Sequence, residues 1–194
     1  MALSFTACGN TPAEEETQKI EVPEQVQEVR DAAMKAAQDT AKELEGYWGD
    51  RVANLTLYYF DDTVKNVYEY TALQADLTAH VEKTGAVEMY VLVPNEEGTF
   101  RVTIDTAEKS WLMEMSENPV YKEAFVSGLI ASERSGRKAD SGYLWTAYSP
   151  LYNQSGELYG ILAVDYPADI LAEYPEWDRT SESWNQFDIT DMEE

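Results

Sequence analysis

Two apolar stretches, Tyr143 to Leu151 and Leu158 to Val164, are separated only by a short polar segment around Asn153-Gln154-Ser155-Gly156. Stretches of this length, rich in β-branched and aromatic residues and joined through a polar turn ending in glycine, close as an antiparallel hairpin. The unbroken run Ile161-Leu162-Ala163-Val164 has no polar alternation, which is the pattern of a strand covered on both faces. A second hairpin is predicted upstream. Val87 to Val93 and Thr99 to Ile104 carry strand-forming residues, and Pro94-Asn95-Glu96-Glu97-Gly98 between them supplies turn chemistry.

The chain before these hairpins has a different period. Val26, Val29, Ala33, Ala36, Ala37, Thr40, Leu44, Tyr47 and Trp48 recur at three- and four-residue spacing, which predicts an amphipathic helix with one buried stripe. Gly46 and Gly49 each weaken that helix by roughly 1 kcal/mol relative to alanine, so a bend or break is expected there, before the apolar segment Val52 to Phe60. A second helix follows through Tyr68, Leu73, Leu77 and Val81 and is capped at Gly85. Between the hairpins a short helix is expected near Pro119 to Phe125, ending towards Gly128, with a short strand near Leu129 to Ser132. The charged run Glu133 to Asp140 reads as an exposed loop. A last helix is expected near Pro167.

Composition narrows the function. The chain has 194 residues, enough for one domain of its own with a tail at each end. Its 37 acidic residues against 14 basic ones give a net charge of -23, which repels a phosphate backbone and excludes nucleic acid as a partner. The single histidine, His80, lies on a helical pattern, and no serine or cysteine stands in a nucleophile motif. Phosphate loops, calcium-loop spacing and histidine- or cysteine-based metal motifs are all lacking. No catalytic residue, metal or cofactor is therefore assigned.

The one cysteine, Cys8, follows Leu3-Ser4-Phe5-Thr6-Ala7 and precedes Gly9. This resembles the end of a bacterial lipoprotein signal, in which small residues precede the cysteine that is lipidated; Phe5 departs from the usual aliphatic residue. Only seven residues lie upstream, fewer than a secretory signal needs. Residues 1–22 are accordingly read as a truncated signal and a flexible Thr-, Pro- and Glu-rich tether. The resemblance implies lipidation at Cys8, anchoring to the bacterial cell membrane and an extracytoplasmic location.

The segment from Trp145 to Asp165, with Ser149-Pro150-Leu151 closing one strand and Gly160-Ile161-Leu162-Ala163-Val164-Asp165 forming the next, resembles the closing hairpin of Cache sensor domains. The order of elements from about Val26 to Ala172 is similar as well. The resemblance implies an α+β, PAS-like single Cache domain over residues 23–172, followed by an acidic C-terminal extension over 173–194. Its central antiparallel sheet would carry the long N-terminal helix on one face and a ligand pocket on the other. That pocket would be lined by Tyr90, Arg101, Trp145 and Tyr148 from the strands and by Trp111 and Tyr121 from the intervening segment. Asp165 would hold a ligand ammonium group. The Arg-x-Trp-Tyr segment of amino-acid-binding members is missing, and Lys109-Ser110-Trp111 only echoes it.

The residues themselves fit such a site in more than one way. An aspartate at a strand end among aromatic rings can pair with a cation in a partly dry site, where rings add roughly 0.5 to 2 kcal/mol of cation–π attraction; equally, Asp165 can cap the following helix. Arg101 alternates with Phe100 and Val102 and is either a clamp for a carboxylate or a solvated strand residue. The leading expectation is a non-catalytic sensor binding a small amine, amino acid or carboxylate, read out by a membrane signalling protein. The alternatives are a surface interaction or scaffold lipoprotein without a pocket, and a hydrolase, which needs two carboxyls facing each other at ~5 to 9.5 Å.

Overall fold

A computed structural model describes residues 21–58, 68–95, 99–107, 114–115 and 119–179. Helix α1, Glu24–Glu43, starts directly after Pro23, whose fixed φ suits a helix start. Its buried stripe is Val26, Ala33, Ala36, Ala37, Thr40 and Ala41, and these small side chains let the helix axis lie close to the sheet. The helix does not run on through Tyr47. Gly46 adopts φ +83°, which reverses the chain, and its N–H donates to the Tyr152 carbonyl at 3.0 Å. Helix α2, Tyr47–Tyr58, then departs in a new direction. Helix α3, Tyr68–Thr84, buries Tyr70, Leu73 and Leu77 and ends before Gly85.

The strands are β1 (Glu88–Pro94), β2 (Phe100–Asp105), β3 (Glu114–Met115), β4 (Ala131–Ser132), β5 (Arg137–Ala139), β6 (Gly142–Tyr152) and β7 (Leu158–Pro167), with helix α4 (Pro119–Ser127) between β3 and β4. They form one antiparallel sheet in the order β3-β2-β1-β7-β6-β4, and β5 also pairs with β6. Both predicted hairpins are present, β1–β2 and β6–β7. The helix expected near Pro167 is only a four-residue tight turn, Asp169–Ala172.

Strand alternation divides the core in two. Met89, Val91, Ile104, Ala147, Leu162 and Val164 face α1, α2 and α3, whereas Tyr90, Leu92, Val102, Ile161 and Ala163 face α4. All four residues Ile161 to Val164 are fully buried, two on each face, as an uninterrupted apolar strand requires. In β2 the register slips: Ile104 pairs with Val91 but Val102 pairs with Leu92, leaving Thr103 as the extra residue of a bulge. Two residues of equal parity thus reach opposite faces. Pro150 is accommodated because β4 pairs with β6 only at Ala147 and Tyr148, so among the described residues no strand on the outer side of β6 needs an N–H at position 150.

The result is an α+β, PAS-like arrangement, an antiparallel sheet with a long N-terminal helix packed on one face, as the sequence resemblance implies. Leu162, at the centre of β7 and fully buried against α1, is the test of this core. Leu162→Ala is expected to lower unfolding free energy by about 2 to 5 kcal/mol in urea denaturation, whereas Val126→Ala, at a side chain 79% exposed, is expected to change it by less than about 0.5 kcal/mol.

Candidate functional site

On the α4 side of the sheet, the C-terminal end of β7 carries Asp165, which pairs in register with Thr146 of β6 and Glu88 of β1. Asp165 is buried and its carboxylate does not stand alone. Thr146 Oγ1 donates to its Oδ1 at 2.6 Å, and Arg137 Nη2 donates to its Oδ2 at 2.5 Å. Burial pushes the Asp165 pKa above its ordinary value of 3.8, and Arg137, Thr146 and Arg179 pull it back only in part.

A second buried carboxylate stands beside it. Glu133 Oε1 accepts a hydrogen bond from the Tyr148 hydroxyl at 2.7 Å, and its Oε2 lies 3.4 Å from Arg179 Nη1. Two carboxylates and two guanidiniums are therefore gathered at one end of the sheet face. Next to them lies an aromatic cluster. Tyr121 of α4 meets Phe100 and Tyr148 edge to face, with ring centroids 5.0 and 6.0 Å apart, and Tyr90 belongs to the same cluster. Burial first, then the negative charge of Asp165, holds the Tyr90 phenol well above its usual range. Burial does the same for Tyr148. Both phenols are neutral hydrogen-bonding groups at neutral pH.

Local packing explains how Arg137 arrives there. Residues 133–140 are not the exposed loop that their charge predicts: Glu133, Ser135 and Gly136 are buried. Gly136 lies so close to Leu171 and to the Leu144 carbonyl that a Cβ would fall 2.0 Å from Leu171 Cδ1. Its N–H donates to the Trp177 carbonyl and its own carbonyl accepts from the Arg179 N–H, each at 3.0 Å. This clasp fixes β5 against β6 and brings Arg137 and Arg179 in from two distant stretches of sequence.

The residues expected to line one pocket divide among three places. Tyr90, Tyr121, Tyr148 and Asp165 lie on the α4 side together. Trp145 does not: it is fully buried among the residues that face α1, because it is three positions from Tyr148 on a regular strand and alternation puts the two on opposite faces. Arg101 pairs with Val93, which packs towards the helix-side core, so it too is out of phase with Phe100 and Val102. Trp111 and Cys8 lie outside the described residues. Arg137, Thr146, Glu133 and Arg179 were not singled out from sequence. Of these only Thr146 had a readable signal, since it shares parity with Tyr148 on a predicted strand. Among the described residues no group of three or more His, Cys, Asp or Glu side chains is arranged to hold a metal ion, and no helix is long and apolar enough to cross a membrane.

No family model matches the chain, and no curated protein matches it. Solved structures do resemble it. The sensor domain of Escherichia coli DcuS aligns with a TM-score of 0.47 and 9% identity, over 77% of this chain and 98% of that one. The sensor domain of the Vibrio cholerae histidine kinase DctB aligns with a TM-score of 0.49 and 10% identity, over 79% of this chain and 56% of that one. The ligand-binding domain of the Campylobacter jejuni chemoreceptor Tlp3, solved with L-valine, aligns with a TM-score of 0.38 and 15% identity, over 76% of this chain and 62% of that one. The chain thus spans under two thirds of the DctB and Tlp3 domains.

The raised Asp165 pKa has a consequence for stability. A carboxyl whose folded pKa lies above its unfolded value contributes stability while protonated and loses it as pH rises through the folded pKa. Relative to the Asp165→Asn variant, the native chain is therefore expected to lose stability progressively as pH rises above 3.8. Urea denaturation of both chains from about pH 4 to about pH 7 measures the difference. A pH-independent difference would mean that Arg137 and Thr146 cancel the effect of burial.

Proposed function

We propose that this chain is a non-catalytic, extracytoplasmic sensor domain that binds a small molecule on the α4 side of its sheet, at the Asp165–Arg137 pair. The observation that carries this reading is a buried carboxylate held by a partly exposed guanidinium beside an aromatic cluster. Arg137 has a side-chain exposure of 30% while that of Asp165 is 2%, so solvent and solutes reach the pair from the arginine side.

That geometry selects the ligand. Removing one partner from a buried ion pair strands the other at a cost of about 3 to 5 kcal/mol, so a ligand entering here must replace what it displaces. A simple amine can take the place of Arg137 on Asp165 but leaves the guanidinium without a counter-charge. A simple carboxylate can approach Arg137 but offers nothing to Asp165. An amino acid carries both groups: its ammonium meets Asp165 while its carboxylate meets the released Arg137, with Tyr90 and Tyr148 beside the side chain. Within the proposed class of small amines, amino acids and carboxylates, the zwitterion is the one that leaves no buried charge unpaired.

Lipidation at Cys8 would hold the domain at the outer face of the cell membrane, with residues 9–22 as its tether and a membrane signalling protein as the reader of its conformation. A second reading has its own support. Asp165 is already satisfied by Thr146 and Arg137, as it would be in a domain that keeps this pair for structure and presents a surface to another protein.

Thermal unfolding in the presence of individual amino acids, and of matched amines and carboxylates, separates the two. A ligand at a hundredfold its Kd stabilises by about 2.7 kcal/mol, which raises the midpoint by roughly 5 to 10 °C in a domain of this size. The expected result is a shift with amino acids, smaller or no shift with either half-molecule, and its loss in Asp165→Ala. Unshifted midpoints for a cooperatively folding protein across all three classes would favour the interaction module.

A further inference from the structure

Arg137 is tied to a second element besides β6. Gly136, the residue before it, donates its N–H to the Trp177 carbonyl and accepts at its own carbonyl from the Arg179 N–H, each at 3.0 Å. The stretch from Pro175 to Arg179 is thus a strap laid beside β5, and it reaches both sides of the sheet. Trp177 is 3% exposed and packs among the residues that face α1. Two residues on, Arg179 turns to Glu133 on the α4 side.

The hold on this strap is uneven. Arg179 Nη1 meets Glu133 Oε2 at 3.4 Å, beyond the roughly 2.7 to 2.9 Å of a charge-assisted hydrogen bond, and its side chain is 38% exposed. Arg137 meets Asp165 at 2.5 Å, against a carboxylate whose side chain is 2% exposed. The tighter ion pair therefore belongs to the residue next to Gly136. Gly136 itself has no slack, since a Cβ there would fall 2.0 Å from Leu171 Cδ1 and 2.8 Å from the Leu144 carbonyl. A shift of Arg137 is passed to Gly136 and on to the strap, because close-packed surroundings leave no void to absorb it.

We infer that the strap is a latch on the Asp165–Arg137 site, docked while Arg137 sits on Asp165 and loosened when Arg137 is drawn away. The ligand's part in this rests on the function proposed above, in which the ligand carboxylate takes Arg137; the coupling of Arg137 to the strap does not. Because Trp177 is seated in the core on the helix side, loosening the strap is felt on both faces of the sheet.

Hydrogen exchange of single amides in the full-length protein reads the latch directly, since the Gly136 and Arg179 N–H groups make its two backbone hydrogen bonds. Asp165→Asn removes the charge that holds Arg137, keeps an acceptor for Thr146, and leaves a guanidinium already 30% exposed to turn to water, so folding is expected to survive. Exchange at Gly136 and Arg179 should then quicken about tenfold or more relative to the amides of β1 and β7, from loss of one charge-assisted hydrogen bond. Arg137→Gln should act alike, and Arg137→Lys should restore part of the protection. Equal acceleration over β1, β7 and the strap, or none at Gly136 and Arg179 in either variant, would overturn the latch. Glycine, L-alanine, L-serine and L-leucine serve as ligand probes. A probe that raises the unfolding midpoint should also speed exchange at the two strap amides; one that raises it and leaves them unchanged overturns the inference while the sensor site stands. Variants that loosen the strap, together with midpoints that no probe moves, uphold the latch and count against the binding site.

Discussion

The pairing of β6 with β7 is the constraint on which the rest of the molecule depends. It runs from Leu144↔Pro167 to Tyr152↔Leu158, and each strand then offers its outer edge to further chain. β1 and, beyond it, β2 extend the sheet from β7, while β4 and β5 extend it from β6. Because β7 is apolar on both faces, neither face can be left to water. The helices α1 to α3 must cover one side, and α4 with its aromatic contacts must cover the other. The two core clusters are the direct result of one strand lacking polar alternation.

Much of this was legible because it is periodic. The helical stripe of α1, the break at Gly46, the extent of α3 up to Gly85 and both hairpins all follow from local spacing or from a glycine at a turn. The candidate site was legible only in part. Tyr90, Tyr148 and Asp165 share a face because their strands pair regularly. Trp145 was grouped with Tyr148 by its chemistry, although a separation of three residues on an unbulged strand forbids a common face. The slip at Thr103, by contrast, could not be read, since a bulge is set by two strands together and leaves no mark in either one's own period.

The partner of Asp165 was the least readable feature. Residues 133–140 are charged and contain glycine, so in isolation they resemble a solvated loop. What buries them is contact with Leu171, Trp177 and Arg179, some forty residues further along the chain. A strand of three residues such as β5 carries no periodic signal, and a buried Glu133 looks like any other acidic residue in a chain that has 37 of them. Only the tertiary clasp at Gly136 shows that Arg137 and Arg179 serve as counter-ions to interior carboxylates.

The same clasp bears on how such a domain could signal. Arg137 reaches Asp165 from β5, a strand of three residues anchored through Gly136 to Trp177 and Arg179. A ligand that took over Asp165 in the proposed way would change what holds that anchor, and would so act on β5, Trp177 and Arg179 as well as on β7. On β7 itself, alternation makes adjacent residues belong to different faces: Asp165 ends in the buried ion network, and Tyr166 borders the groove between α1 and α3. A ligand shifts a conformation only by its differential affinity for the two states, and any coupling between two sites is reciprocal. A ligand on the Asp165 side would therefore bias the α1–α3 side only as far as it binds two arrangements of β7 unequally, with this single strand as the shared element.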